Sequence, residues 1–213
     1  MSSIGAFLIA IGTVFLNYQI IALFKANDKE FEDSIREKQI DYMYIGSFIM
    51  GLISGTLPDP LNWMLIVPTI VVFVSAETDM FMKQIYSFPC IVGLVVGLGF
   101  IALFHFNLVS YLIHMIFCIV ILLLLRMIKA INIGDVELIL SLTPYLYLVS
   151  YEFKRPTFIE SFLFYMVGSC IFTVAIYFKK YRKEKIKTFP FALPACLFYC
   201  SYFGVLSIAS FMN

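Results

Sequence analysis

Long apolar stretches alternate with short polar punctuation from one end of the chain to the other. Each stretch is close to the roughly 20 residues a helix needs to cross about 30 Å of hydrocarbon. The punctuation predicts helices over residues 3–24, 42–57, 61–77, 87–105, 108–126, 134–151, 157–178 and 190–211. The second and third are short enough to be tilted or re-entrant, which brackets the count between six and eight. Nothing alternates at period two as a membrane barrel would, and lipid offers no water to backbone polar groups. The expected fold class is therefore all-α, a polytopic integral membrane helix bundle. It forms one membrane-embedded domain over 1–213, with a short charged loop at 25–41. The first stretch carries no basic residues ahead of it and no small-residue cleavage pattern after it, so it is expected to stay as a helix of the mature protein.

Composition narrows the picture further. Hydrophobic residues make up 62% of the 213 positions and charged ones 14%, against about 25% charged in soluble domains. A water-soluble domain of this size is excluded. The five cysteines (Cys90, Cys118, Cys170, Cys196 and Cys200) are scattered without a C-x-x-C pair. They read as small packing residues, and neither a zinc site, a disulfide framework nor any cofactor is expected.

Charge sets an orientation. With the N-terminus outside, thirteen of the fifteen Lys and Arg fall on the cytoplasmic side and only Lys154 and Arg155 on the other, the asymmetry that cytoplasmic loops carry. The basic run Lys179 to Lys187 beside a span reads as an anchor on anionic membrane lipid rather than a nucleic-acid patch. The loop at 25–41 differs, because Asp28, Glu30, Glu32, Asp33, Glu37 and Asp41 outnumber its four cations.

Acidic residues at or inside spans need a polar surrounding, so they are candidates for function. Most of the fourteen Asp and Glu lie in the first loop, the basic run or the outer side. Four remain: Glu77 and Asp79 after the third helix, and Asp135 and Glu137 at the start of the sixth. The two spans between them run out and back, so both pairs return to the cytoplasmic face. Within each pair the i, i+2 spacing points the side chains to different helix faces, which admits one member of each to a shared site. Gly134 beside Asp135 allows close backbone approach, and Pro89 marks a helix restart after a loop at 80–88. Asp135 also has the plainer reading of an acid near a helix N-terminus.

Several stretches resemble one family, the type IV prepilin peptidases and the related archaeal preflagellin peptidases. Ile133-Gly134-Asp135-Val136-Glu137-Leu138 resembles its G-x-G-D-V-K-L segment, with Asn132 where the first glycine is usual and Glu137 where lysine is common. Asp79 followed by Ser87-Phe88-Pro89 resembles its D-x(n)-I-P segment. Gly12-Thr13-Val14-Phe15-Leu16-Asn17 is similar to G-S-F-L-N, and Phe189-Pro190-Phe191-Ala192-Leu193-Pro194 to I-P-F-x-P-F-L. The cytoplasmic domain with two C-x-x-C pairs found in many bacterial members is absent, so the resemblance is to a compact form and leaves N-methylation open.

The resemblance implies a membrane aspartic endopeptidase in the plasma membrane of a prokaryote. Asp79 and Asp135 would be catalytic, with Gly134, Pro89 and Asn132 as supporting motif residues. Its substrates would be type IV pilin, pseudopilin or archaellin precursors, cut at the cytoplasmic face after a glycine. Two close carboxylates share a proton, so one can activate water while the other polarises the scissile carbonyl, and no metal is needed. Asp28, Glu30, Glu32 and Asp33 would attract the basic leader.

Other readings stay in view. One is a transport or assembly protein whose carboxylates relay protons or pair with Arg126 or Lys129. Another is a presenilin-like protease, although Thr78 stands where that group has a tyrosine before its aspartate. Gly51-x-x-x-Gly55 and Gly93-x-x-x-Gly97 suit either a homo-oligomer or packing within the chain, the commoner use. His114 reads as a structural histidine, and His105 falls on the outer face.

Overall fold

A computed structural model describes residues 3–34, 37–104, 106–154, 157–184 and 191–212. His105, Arg36, Arg155, Lys185, Lys187, Phe189 and Pro190 lie outside the described residues. The described chain is helical, with no strand. Its elements are α1 (Ser3–Asn27), α2 (Lys29–Ser34), α3 (Glu37–Gly55), α4 (Leu61–Met64), α5 (Ile66–Met82), α6 (Ser87–Leu103), α7 (Leu108–Met127), α8 (Ile133–Phe153), α9 (Phe158–Glu184) and α10 (Ala192–Met212).

Five segments are long and apolar enough to cross a membrane, namely α1, α4 with α5, α7, α8 and α9, and three shorter apolar helices lie in α3, α6 and α10. The protein is a multi-pass helical membrane bundle. Leu112, Ile113, Ile116, Val120, Leu123 and Leu124 of α7 are exposed, and an apolar surface of that kind belongs against lipid.

Burial separates centre from rim. In the α4–α5 span and in α8, 78% of the most apolar window is buried, against 17% for α7, 28% for α1 and 33% for α9. The two helices that carry Asp79 and Asp135 are therefore the central ones.

Small residues set the close crossings. A Cβ on Gly51 would lie 2.6 Å from Ala10 Cα and one on Gly55 2.5 Å from Ala6 Cα, so α3 lies tight along α1. A Cβ on Gly97 would lie 2.6 Å from Pro144 Cβ and one on Gly93 2.8 Å from Val71 Cγ2, which seats α6 against α8 and α5. Both glycine pairs thus serve packing within the chain.

Pro144 sits inside α8 and leaves the Leu140 carbonyl without its usual donor. The Thr143 hydroxyl donates to that carbonyl at 2.8 Å and shares a 2.8 Å contact with Tyr111 Oη. Repair of this kind is what allows proline within a span.

Two differences from the sequence reading matter for the site. The third helix was expected to end at 77, but α5 runs to Met82 and stops at Lys83, whose φ of 56° puts it in the left-handed region while its N–H donates to Asp79 O at 3.0 Å. Asp79 therefore lies on a helix, and the connection to α6 is only residues 83–86. The 25–41 segment is also not a plain loop. Asp28 Oδ1 accepts from Glu30 N at 3.0 Å and Phe31 N at 3.1 Å, which caps α2. Phe31 is fully buried beside Ile21, Ile40, Ile70 and Val74, with ring contacts to Phe24, Phe81 and Tyr86.

Tyr86 Oη donates to Asp28 Oδ2 and ties α2 to the 83–86 connection. That bond, followed by the backbone amide of Phe31, holds the Asp28 carboxyl below the usual carboxylate range. Partial burial, followed by the bond to Asp28, pushes the Tyr86 hydroxyl up to about 12. A lowered acid stabilises the fold above its unfolded value and loses that contribution as pH falls through the folded one; a raised phenol does the reverse on the alkaline side. The tie is therefore complete throughout the neutral range. Tyr86→Phe is expected to speed hydrogen exchange of the 29–34 amides at pH 7 while leaving exchange in α8 unchanged.

Candidate active site

Asp79 stands one turn from the end of α5 and Asp135 in the first turn of α8. They are 6% and 7% exposed, a degree of burial carboxylates reach only with partners. Each has a backbone amide. Asp79 Oδ2 accepts from Ala192 N at 2.8 Å, at the start of α10. Asp135 Oδ2 accepts from Asn132 N at 2.8 Å, so the acid folds back onto the beginning of its own helix. Both carboxylates thus sit at helix N-termini, where the unpaired amides and the macrodipole favour negative charge. The Asp135 charge lies near enough to be felt at Asp79, after burial and the Ala192 amide as the larger influences there. The site gathers the ends of α5, α8 and α10 at one end of the bundle.

The i, i+2 neighbours diverge as the spacing requires. Glu77 turns toward α1, where Asn17 Nδ2 donates to its Oε1 at 3.3 Å. Glu137 accepts from Ser87 Oγ at 2.6 Å, at the start of α6. Arg126 and Lys129 are exposed, and the aspartates take their hydrogen bonds from backbone amides rather than from these cations.

The supporting residues fall around the pair. A Cβ on Gly134 would lie 3.0 Å from Ile85 Cβ, so the glycine lets the 83–86 connection approach the Asp135 turn. Its φ is not positive, so closeness rather than an unusual backbone conformation is the reason for glycine here. Asn132 precedes α8 in an extended conformation and supplies the amide to Asp135. Pro89 is buried in the first turn of α6, where its missing N–H costs nothing.

Of the four acids expected to face a leader, Glu30, Glu32 and Asp33 are exposed on α2, while Asp28 is engaged as its cap. His114 is structural in its contacts: Nδ1 lies 2.6 Å from Ser110 O and the ring packs on Phe158.

Comparison with protein-family models, curated proteins and solved structures finds no match to this chain.

Two features of the site are not apparent in the sequence reading. The Asp79 charge acts on Tyr177 of α9, a residue that looks like any aromatic in an apolar span. The α10 amide that orients Asp79 comes from a position 113 residues away, for which local pattern gives no signal.

Proposed function

We propose that the chain is a membrane aspartic endopeptidase of the prepilin-peptidase type, with Asp79 and Asp135 as its catalytic pair. The observation that carries this reading is their convergence. Two acids 56 positions apart, singled out by spacing and motif resemblance, lie buried at one end of the bundle close enough to interact, each with one oxygen held by a helix-start amide. Held this way, both carboxylates are oriented by amides at helix starts, Asp79 by Ala192 together with Phe191 and Asp135 by Asn132. One ionised member takes a proton from water as the water attacks the scissile carbonyl, and the other donates a proton to the carbonyl oxygen. Their roles exchange as the intermediate collapses and the amine leaves. Like charges at short range favour sharing of one proton over double ionisation.

The substrate class is a precursor with a short basic leader followed by a hydrophobic helix, processed at the cytoplasmic membrane face of a prokaryotic cell. The distribution of Lys and Arg supports this orientation. The α2 helix presents Glu30, Glu32 and Asp33 at the same end of the bundle as the aspartates, tied to the site through Asp28, Tyr86 and Ile85. A basic leader would be drawn there by long-range attraction. Glu30→Gln, Glu32→Gln and Asp33→Asn together are expected to raise KM on the order of 10-fold at low ionic strength. The effect should shrink when salt shortens the screening length to about 10 Å or less.

The direct test is to incubate the purified chain in lipid with a tagged precursor of this class and sequence the new N-terminus. A single product beginning after the leader glycine supports the reading. Intact precursor, or scattered cuts in other regions, refutes it.

A further inference from the structure

The α1–α5 interface contains a polar pair that the proposed chemistry does not use. Glu77 and Asn17 are both fully buried. They share one hydrogen bond, Asn17 Nδ2 to Glu77 Oε1 at 3.3 Å. The remaining oxygens of the same two groups, Asn17 Oδ1 and Glu77 Oε2, are buried without a partner. Two unsatisfied acceptors in the middle of a helix bundle are costly, and they belong to groups already joined on their other sides.

Among the described residues no neighbouring group donates to either oxygen. Thr13, one turn before Asn17, donates its hydroxyl to Ile9 O at 2.8 Å. In the α1–α3 register set by Gly51 against Ala10, Tyr44 falls level with Asn17, and Ser47, one turn on, donates to Tyr44 O at 2.9 Å. The charged and titratable groups that act on Glu77 from neighbouring helices are Lys25 of α1, Tyr44 of α3 and Cys196 of α10. None of them makes a hydrogen bond or ion pair to Oε2 among the described residues.

We infer that Asn17 and Glu77 form a second site, separate from the Asp79–Asp135 pair, that binds one proton as a carboxylic acid–amide ring. The proton resides on Glu77 Oε2 and is donated to Asn17 Oδ1, while Asn17 Nδ2 donates to Oε1. One hydrogen thus satisfies both orphan atoms and leaves the interface without net charge. The ring joins α1 to α5 two residues before Asp79, so loss of that proton would loosen the joint between the outer helix and the central one.

The inference can be tested without any substrate, and hence independently of the peptidase reading. Infrared difference spectra are recorded between wild-type chain and Glu77→Gln in lipid at neutral pH, with and without ¹³C-labelled glutamate. The wild type is expected to carry one extra protonated-carboxyl C=O band that moves with the glutamate label and is indifferent to sodium or lithium. Absence of the band would mean an ionised Glu77, hydrated by an internal water, and would overturn the inference. So would a band that disappears on adding either salt, because the site would then hold a metal cation. Glutamine reproduces the ring with its own amide, so Glu77→Gln should melt with the wild type. Glu77→Ala, which strands Asn17, should melt lower. The reverse order would also overturn the ring.

Discussion

Asp79→Asn and Asp135→Asn are each expected to cut leader removal on the order of 100- to 10,000-fold, the range ascribed to a positioned acid or base. That loss corresponds to about 3 to 5 kcal/mol of barrier. Asparagine is the informative replacement because it keeps an acceptor oxygen. At 79 it can still take the Ala192 amide that holds Asp79 Oδ2 at 2.8 Å, and at 135 the Asn132 amide. Insertion and thermal stability should therefore stay close to wild type. The double variant should be little worse than either single one, since the two groups work as a unit. Additive losses would argue for separate roles. Equal loss of activity and folding in both variants would leave the acids as helix caps, the plainer role their geometry also fits.

Gly134→Val has the second-largest expected effect, and it acts without touching a carboxylate. Its Cβ would lie 3.0 Å from Ile85 Cβ and 3.6 Å from Ile85 N, so the 83–86 connection must move. Overpacking of this kind costs about 1 to 3 kcal/mol of stability. Activity should fall further, because a displacement near 1 Å at the adjacent Asp135 can cost about 100-fold. Gly134→Ala should be milder. Ile85→Gly, which removes the Cβ that is struck, should restore much of the activity of Gly134→Ala when the two are combined, because residues in contact do not behave additively. Failure of this rescue would mean that Gly134 matters for some reason other than the close approach.

Much of the bundle is legible because lipid permits few alternatives. Helices α1, α3 and α6 to α10 lie where the apolar runs place them, but α3 begins five residues early, inside the charged segment, and α9 runs six residues beyond 178 into the basic run, to Glu184. The missed end of α5 has a local cause. Thr78-Asp79 reads as the start of a polar loop, yet the helix continues because Phe81 packs against Phe31 and Lys83 alone turns the chain. The same contact accounts for α2. One buried aromatic in a stretch of charges is too short a signal for periodicity, and its partners, Ile21, Ile70 and Val74, lie on other helices. At the site, the divergence of Glu77 from Asp79 and of Glu137 from Asp135 follows from helical geometry alone. What each then meets does not. Asn17 lies 60 residues from Glu77 and Ser87 lies 50 from Glu137, separations that only the folded bundle closes.

The fold also explains why Asp28 stands apart from its acidic neighbours. Glu30, Glu32 and Asp33 are exposed, while Asp28 caps α2 and accepts from Tyr86. Counting charge in the segment treats the four alike, but only three are free to meet a partner at long range.

The measurement that bears most directly on the central claim is co-expression of the chain with a panel of tagged prepilin-like precursors, scored for leader loss beside Asp79→Asn and Asp135→Asn. The expected result is cleavage of at least one precursor by the wild type and by neither variant, with all three chains inserted at equal levels. A correctly inserted wild type that cuts nothing across a broad panel, or an aspartate variant that cuts as well as the wild type, would contradict it.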